Sequence, residues 1–191
     1  VTCSQAQTLA SQLSTGKSYN SSLMFGVQWD LVLKHIEVKE VKRGIALDTI
    51  QSALRSDSKD WGNYLDSSFE INRGKYAKSG ALSTWYNYNT ALANCVTYAN
   101  GTSTKVSASS GSNSILLTTG ASDACKKMNI YDLAGNVWEW TLEYTASTSI
   151  PCALRGGCYV ATGSNIPASY RDSSFTTYSY GTIGFRPSLF K

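Results

Sequence analysis

The run "NIYDLAGNVWEWTLEY", Asn129–Tyr144, restricts the fold more than any other stretch of the chain. Gly135-Asn136 supplies turn chemistry. The residues that follow, Val137, Trp138, Glu139, Trp140, Thr141 and Leu142, are rich in the β-branched and aromatic types that suit a pleated, buried surface. This strand is expected to be central to a sheet. "LRGGCYV" and "IGFRPSLF" read as two more short strands, which leaves residues 158–182 as a long, turn-rich excursion between them.

Upstream, the pattern is helical. "CSQAQTLASQL" offers Ser4 as an N-cap before Ala6, Leu9, Ala10 and Leu13 at helical spacing. A second helix is expected in "NSSLMFGVQWDLVLKHIEVKEVKRG", with Val27, Leu31 and Ile36 toward the core and Gly44 as its stop. From Trp61 to Asn94 the chain is full of Gly, Asn, Tyr and Trp without a sustained period, so ordered loops pinned by aromatic rings are expected. Ala99 to Ser114 reads as a polar surface loop, whose Asn100-Gly101-Thr102 sequon matters only in a glycosylating host. Two N-terminal helices, short C-terminal strands and long ordered loops predict an α+β architecture. The 191 residues form one domain on this reading.

Composition narrows the function classes. A hydrophobic share of 42% with 16% charged residues is that of a soluble globular protein. No apolar run approaches the ~20 residues that span a bilayer, so no membrane insertion is expected. The start at Val1 reads as a processing boundary. The net charge of +4 is scattered, and its densest group, Lys39, Lys42 and Arg43, is interleaved with Glu37 and Glu40, the pattern of a solvated helix face rather than a nucleic-acid stripe. His35 is the single histidine, so a Ser-His-Asp triad or two-histidine metal site has nothing to work with. Cys3, Cys95, Cys125, Cys152 and Cys158 form no CxxC pair, which argues against structural zinc; one disulfide is compatible with the odd count.

The C-terminal segment has a further peculiarity. From Cys158 to Phe190, "CYVATGSNIPASYRDSSFTTYSYGTIGFRPSLF" contains no Lys, Glu, Gln, Met or Trp, although the rest of the chain uses all five. Ordinary β-loop composition also disfavours Lys, Glu and Met, so composition by itself leaves two explanations open.

Several motifs fit one family together. "NIYDLAGNVWEW", then "LRGG", then "GFRP" resemble the signature series of the formylglycine-generating-enzyme domain, a variant of the C-type lectin fold with short twisted strands and long loops. "VTCSQAQTLASQL" resembles that family's first helix motif, and "SSLMFGVQWDLVLK" keeps Trp29 and Asp30 of its next one. In the family's enzymes two cysteines downstream of the Arg-Gly-Gly motif bind copper; the matching positions hold Ile166 and Arg171. Soft thiolates are what copper(I) needs, and neither residue supplies one. The resemblance therefore implies a non-enzymatic member with no cofactor, although a copper oxidase or a fixed-specificity sugar lectin remains an alternative. A calcium-dependent lectin would cluster acidic ligands, and Asp132, Glu139 and Glu143 are the candidates.

The chain is also similar to a second branch of the same fold, the variable proteins of diversity-generating retroelements. Their C-terminal segment is rewritten at adenines of AAC or AAT codons, which never yields Lys, Glu, Gln, Met or Trp. That resemblance implies a binding protein at a phage tip or on a bacterial surface, secreted or displayed. Its partner would be a protein or surface-glycan ligand on a target cell. The implied variable positions are Tyr159, Val160, Ala161, Thr162, Tyr170, Asp172, Ser173, Ser174, Phe175, Tyr178, Tyr180 and Gly181, within residues 158–182. Tyr159, Tyr170, Phe175, Tyr178 and Tyr180 are the expected contact anchors, since aromatic rings give area at low entropic cost while Ser, Thr and Gly adapt. Together they suffice for the centre of a patch of ~800 Å². Gly156, Gly157, Arg171, Gly184, Phe185, Arg186 and Pro187 are expected to be scaffold, with Leu133, Val137, Trp138, Trp140 and Phe185 in the core.

Overall fold

Helix α1, Cys3–Gln12, starts two residues earlier than its sequence suggests. Thr2, not Ser4, is the N-cap: its hydroxyl accepts the Gln5 N–H at 3.2 Å, and the Gln5 side chain accepts the Thr2 N–H at 3.0 Å. This reciprocal box satisfies two N–H groups that the helix cannot. The computed structural model describes residues 1–191. Strand β1, Asn20–Leu23, occupies what was expected to be the beginning of the second helix, burying Ser21 and Leu23. Helix α2, Gly26–Lys42, follows and ends as anticipated at Gly44, whose φ of +94° a side-chain-bearing residue rarely adopts.

The buried stripe of α2 is Trp29, Leu33, Ile36, Glu37 and Glu40. Val27 and Leu31, expected inside, are 65% and 62% exposed. The reason lies in α3, Leu47–Arg55, a third helix that the sequence reading overlooked. It packs Ile50 and Leu54 against α2 and encloses Glu37, which pairs with Lys34 and accepts hydrogen bonds from Gln51 and Arg55, both 3.4 Å. Glu37 and Glu40 thus do not belong to a solvated face, whereas Lys39, Lys42 and Arg43 do. His35 is also exposed.

Short strands then replace most of the expected loops. They are β2 Phe69–Ile71, β3 Lys75–Lys78, β4 Trp85–Asn87, β5 Val96–Ala99, β6 Thr102–Lys105, β7 Ile115–Leu117, β8 Lys126–Lys127 and β9 Ile130–Tyr131. Two three-stranded sheets, β2-β6-β5 and β4-β3-β7, and the β8-β9 hairpin use them all. Lys105, in the expected polar loop, is buried because its ammonium donates to the carbonyls of Tyr64 and Ser67 at 2.7 Å each. Burial without a carboxylate partner pulls it down to about 8.

The C-terminal strands are β10 Trp138–Tyr144, β11 Cys152–Arg155, β12 Arg171–Ser174, β13 Ile183–Phe185 and β14 Pro187–Phe190. Four of them form a sheet in the order β12-β11-β10-β13, with the tryptophan strand inside it, as the sequence predicts. β12 interrupts the expected turn-rich excursion, and β14 instead pairs with β1. Trp138, Trp140, Leu154, Cys152 and Ile183 pack with Cys3, Ala6 and Ala10 of α1. A second cluster joins Trp29, Leu33, Ile50 and Leu54 to Tyr64 and Leu133, and a third lies among the small sheets around Ile71, Tyr76 and Ile115. Val137 and Phe185 are only half-buried. All five cysteines are buried and free, so no disulfide staples the fold.

Candidate functional site

Residues opposite one another in neighbouring strands share a face of the sheet. Asp172, Leu154 and Trp140 form one row across β12, β11 and β10, and Trp138 lies opposite Ile183. Arg171, Arg155, Glu139 and Gly184 form the adjacent row, which faces the other way.

The arginine face is a lattice of ion pairs against α2. Arg155 is 2% exposed, pairs with Asp30 and lies 3.3 Å from Glu143. Arg171 reaches the same Glu143 at 2.7 Å, the anchoring role expected of it. A register irregularity between Trp140 and Tyr144 accompanies the placement of Glu143 on this side. Arg186 grips both oxygens of Glu139 at 2.9 and 2.7 Å and donates to the Tyr131 and Asp132 carbonyls. Burial pushes the Asp132 and Glu139 carboxyls above their ordinary range against the pull of Arg186. Asp132 accepts the Gly120 N–H at 2.9 Å. The three candidate calcium ligands are thus divided among a backbone amide and three arginines, and they do not converge on one point.

The opposite face carries the aromatic residues. A cavity of about 360 Å³ has Trp138, Leu154 and Ile183 on the sheet side, with Asp172, Phe175 and Tyr178 around them. Ser173, Ser174 and Thr182 complete its lining. Tyr170 leans on Trp138 with ring centres 5.9 Å apart, and Tyr178 stacks on Tyr180 at 6.4 Å and 7°. Beyond that stack lies a second cavity of about 500 Å³, where Tyr159, Val160, Tyr180 and Gly181 face Ser79, Gly80 and Leu82. Thr182 belongs to both.

Ten of the twelve positions implied to vary therefore line these two cavities or stack on their lining. Ala161 and Thr162 do not: the Ala161 carbonyl accepts the Leu65 N–H at 2.9 Å, and the Thr162 hydroxyl accepts the Asn165 N–H at 3.3 Å. Tyr159 needs a correction as well. It is 2% exposed, and burial pushes its phenol up, so it forms a wall rather than a contact anchor. Tyr170, Phe175, Tyr178 and Tyr180 are exposed, Tyr180 by 64%. The sequence reading placed Trp138 and Leu154 in strands, and the period of two could have put them beneath Asp172. No signal pointed to Ser79, Gly80 or Leu82.

The residues present do not fit a copper site. Ile166 and Arg171 hold no thiol. Cys158 is 3% exposed in the apolar face with its thiol pushed up by burial, and Cys152 is buried with Cys3 in the same cluster. Buried protonated thiols are poor ligands and poor nucleophiles.

Fold and site together define an α+β domain in which a tryptophan-centred sheet carries a tyrosine-rich excursion on one face and an arginine-carboxylate lattice on the other. Residues 51–188 match the family described as sulfatase-modifying factor enzyme 1-like domain, FGE-sulfatase. The chain belongs to this family. No curated protein and no solved structure matches it.

Proposed function

We propose that this domain is a non-enzymatic ligand-binding protein of the C-type lectin fold whose C-terminal segment is diversified by a retroelement. The observation that carries this reading is a coincidence of two independent properties. The segment lacking Lys, Glu, Gln, Met and Trp is also the one whose exposed Tyr, Phe and Asp side chains gather, with half-buried serines, around two adjoining cavities. Adenine-directed mutagenesis of AAC and AAT codons accounts for the first property, and selection for contact accounts for the second. The rigid aromatic and adaptable hydroxyl residues divide the work as antibody loops do. The ligand is a protein or surface glycan on a target cell, met at a phage tip or bacterial surface.

The same arrangement speaks against oxidase chemistry, because no pair of accessible thiols stands where the family's enzymes hold copper. Sequencing the DNA around the gene tests the proposal. A second copy of the region coding for Arg155 to Lys191, with AAC or AAT at the varied positions and a reverse-transcriptase gene nearby, is the expected result. Codons at those positions ending freely in A or G, with no such copy, would overturn it.

A further inference from the structure

We infer that the cavity between β12 and Tyr178 receives a cationic side chain, lysine or arginine, presented by a protein ligand. This rests on the reading of the aromatic face as a contact surface and specifies what one of its two cavities takes. The charge distribution across the sheet carries it. Asp30, Glu139 and Glu143 are all paired with Arg155, Arg171 or Arg186 on the opposite side. Asp172 has no cationic partner. It is one residue from Arg171, yet the alternation of side chains along β12 directs the two to opposite faces.

The rest of the lining suits the same occupant. Trp138, Phe175 and Tyr178 bring three aromatic rings to the lining, and the negative quadrupole of an aromatic ring attracts ammonium and guanidinium groups. Ser173, Ser174 and Thr182 supply hydroxyl acceptors for N–H donors. No Lys, Arg or His lines the cavity. Leu154 and Ile183 give an apolar floor along which the aliphatic stem of a long cationic side chain can lie. An anionic ligand would meet Asp172 without a counter-charge. A neutral sugar would find stacking faces but gain nothing from the carboxylate's charge.

The test uses the intact domain and amide spectra recorded during titration with four probes: Nα-acetyl-arginine amide, Nα-acetyl-lysine amide, the neutral Nα-acetyl-norleucine amide, and methyl glucoside. The two cations are expected to shift the Trp138 indole N–H and the amides of Asp172 to Ser174, and norleucine amide is not. Asp172→Asn should weaken the cations at least fivefold, and Tyr178→Ala should weaken them without altering the spectrum of the arginine face. Equal shifts with norleucine amide, an unchanged affinity in Asp172→Asn, or no response to either cation would overturn the inference. A response to the glucoside alone would also overturn it while leaving the contact surface standing. Absence of a template repeat, by contrast, would remove the retroelement reading and leave the binding result untouched.

Discussion

The two faces of the four-stranded sheet solve opposite problems with the same backbone. On one, Arg155, Arg171 and Arg186 meet Asp30, Glu139 and Glu143, so that nearly every charge has its partner fixed by another element of the fold. On the other, Tyr170, Phe175, Tyr178 and Tyr180 stand exposed, Tyr170 leaning on Trp138 and Tyr178 stacked on Tyr180. Removing Arg155 or Arg186 from the first face leaves a buried carboxylate short of a partner. On the second, truncating an exposed ring alters area available to a ligand, whereas Trp140 of the same face is buried in the cluster that α1 completes. Under the proposed binding function, the contrast keeps stability and recognition apart within strands only a few residues long.

The sharpest way to break that comparison is to truncate both faces and measure urea unfolding. Trp140→Ala removes a fully buried indole whose N–H donates to the Val1 carbonyl, and it is expected to cost ~3–5 kcal/mol. Arg155→Met, which leaves Glu143 with one partner fewer in a buried setting, should cost about 3 kcal/mol. A loss of similar size in the double variant Tyr178→Ala, Tyr180→Ala would abolish the distinction.

Next in size is a pH effect in the scaffold. Lys105 titrates at about 8 in the folded chain, against 10.5 when unfolded. Between these values the unfolded chain binds more protons, so Lys105 makes stability rise with pH across the window. The stability of the parent relative to Lys105→Met is therefore expected to grow by up to ~3 kcal/mol from pH 8 to 10.5. A constant difference over that range would show that the ammonium is not held in a desolvated site.

The smaller effects sharpen the contrast. The double tyrosine variant should lose less than ~1 kcal/mol, since exposed residues away from caps and buried networks change stability little. Arg171→Gln, at a half-exposed arginine, should cost ~0–1 kcal/mol. Only the tyrosine variant is expected to lose ligand.

Much of this division is written locally in the sequence, and some of it is not. The Trp138 to Leu142 run dictates a buried strand whatever surrounds it, and Gly44 ends α2 by backbone conformation alone. The inward face of α2 was not legible, because Glu37 is buried only through Lys34 on its own helix and Gln51 and Arg55 on α3. Nor was the burial of Tyr159, in a wall shared with the distant Ser79 to Leu82 segment. The site's polarity follows a simpler rule: alternation along β12 sorts Asp172 from Arg171, but only once β12 is known to be a strand.

Glu139 sits opposite Arg155 on one side and opposite Gly184 on the other. The excursion is thus bracketed by a single rung of β10, and on its way back it pairs with β11 through β12 before the exposed residues 175–181 lead into β13. In mechanical terms, a ligand tugging on residues 175–181 would load two ladders at once, the antiparallel one of β12 on β11 and the parallel one of β13 on β10. Tension is shared by both roots instead of peeling one edge. Such an attachment suits the proposed binding role, in which that loop is the part that is pulled.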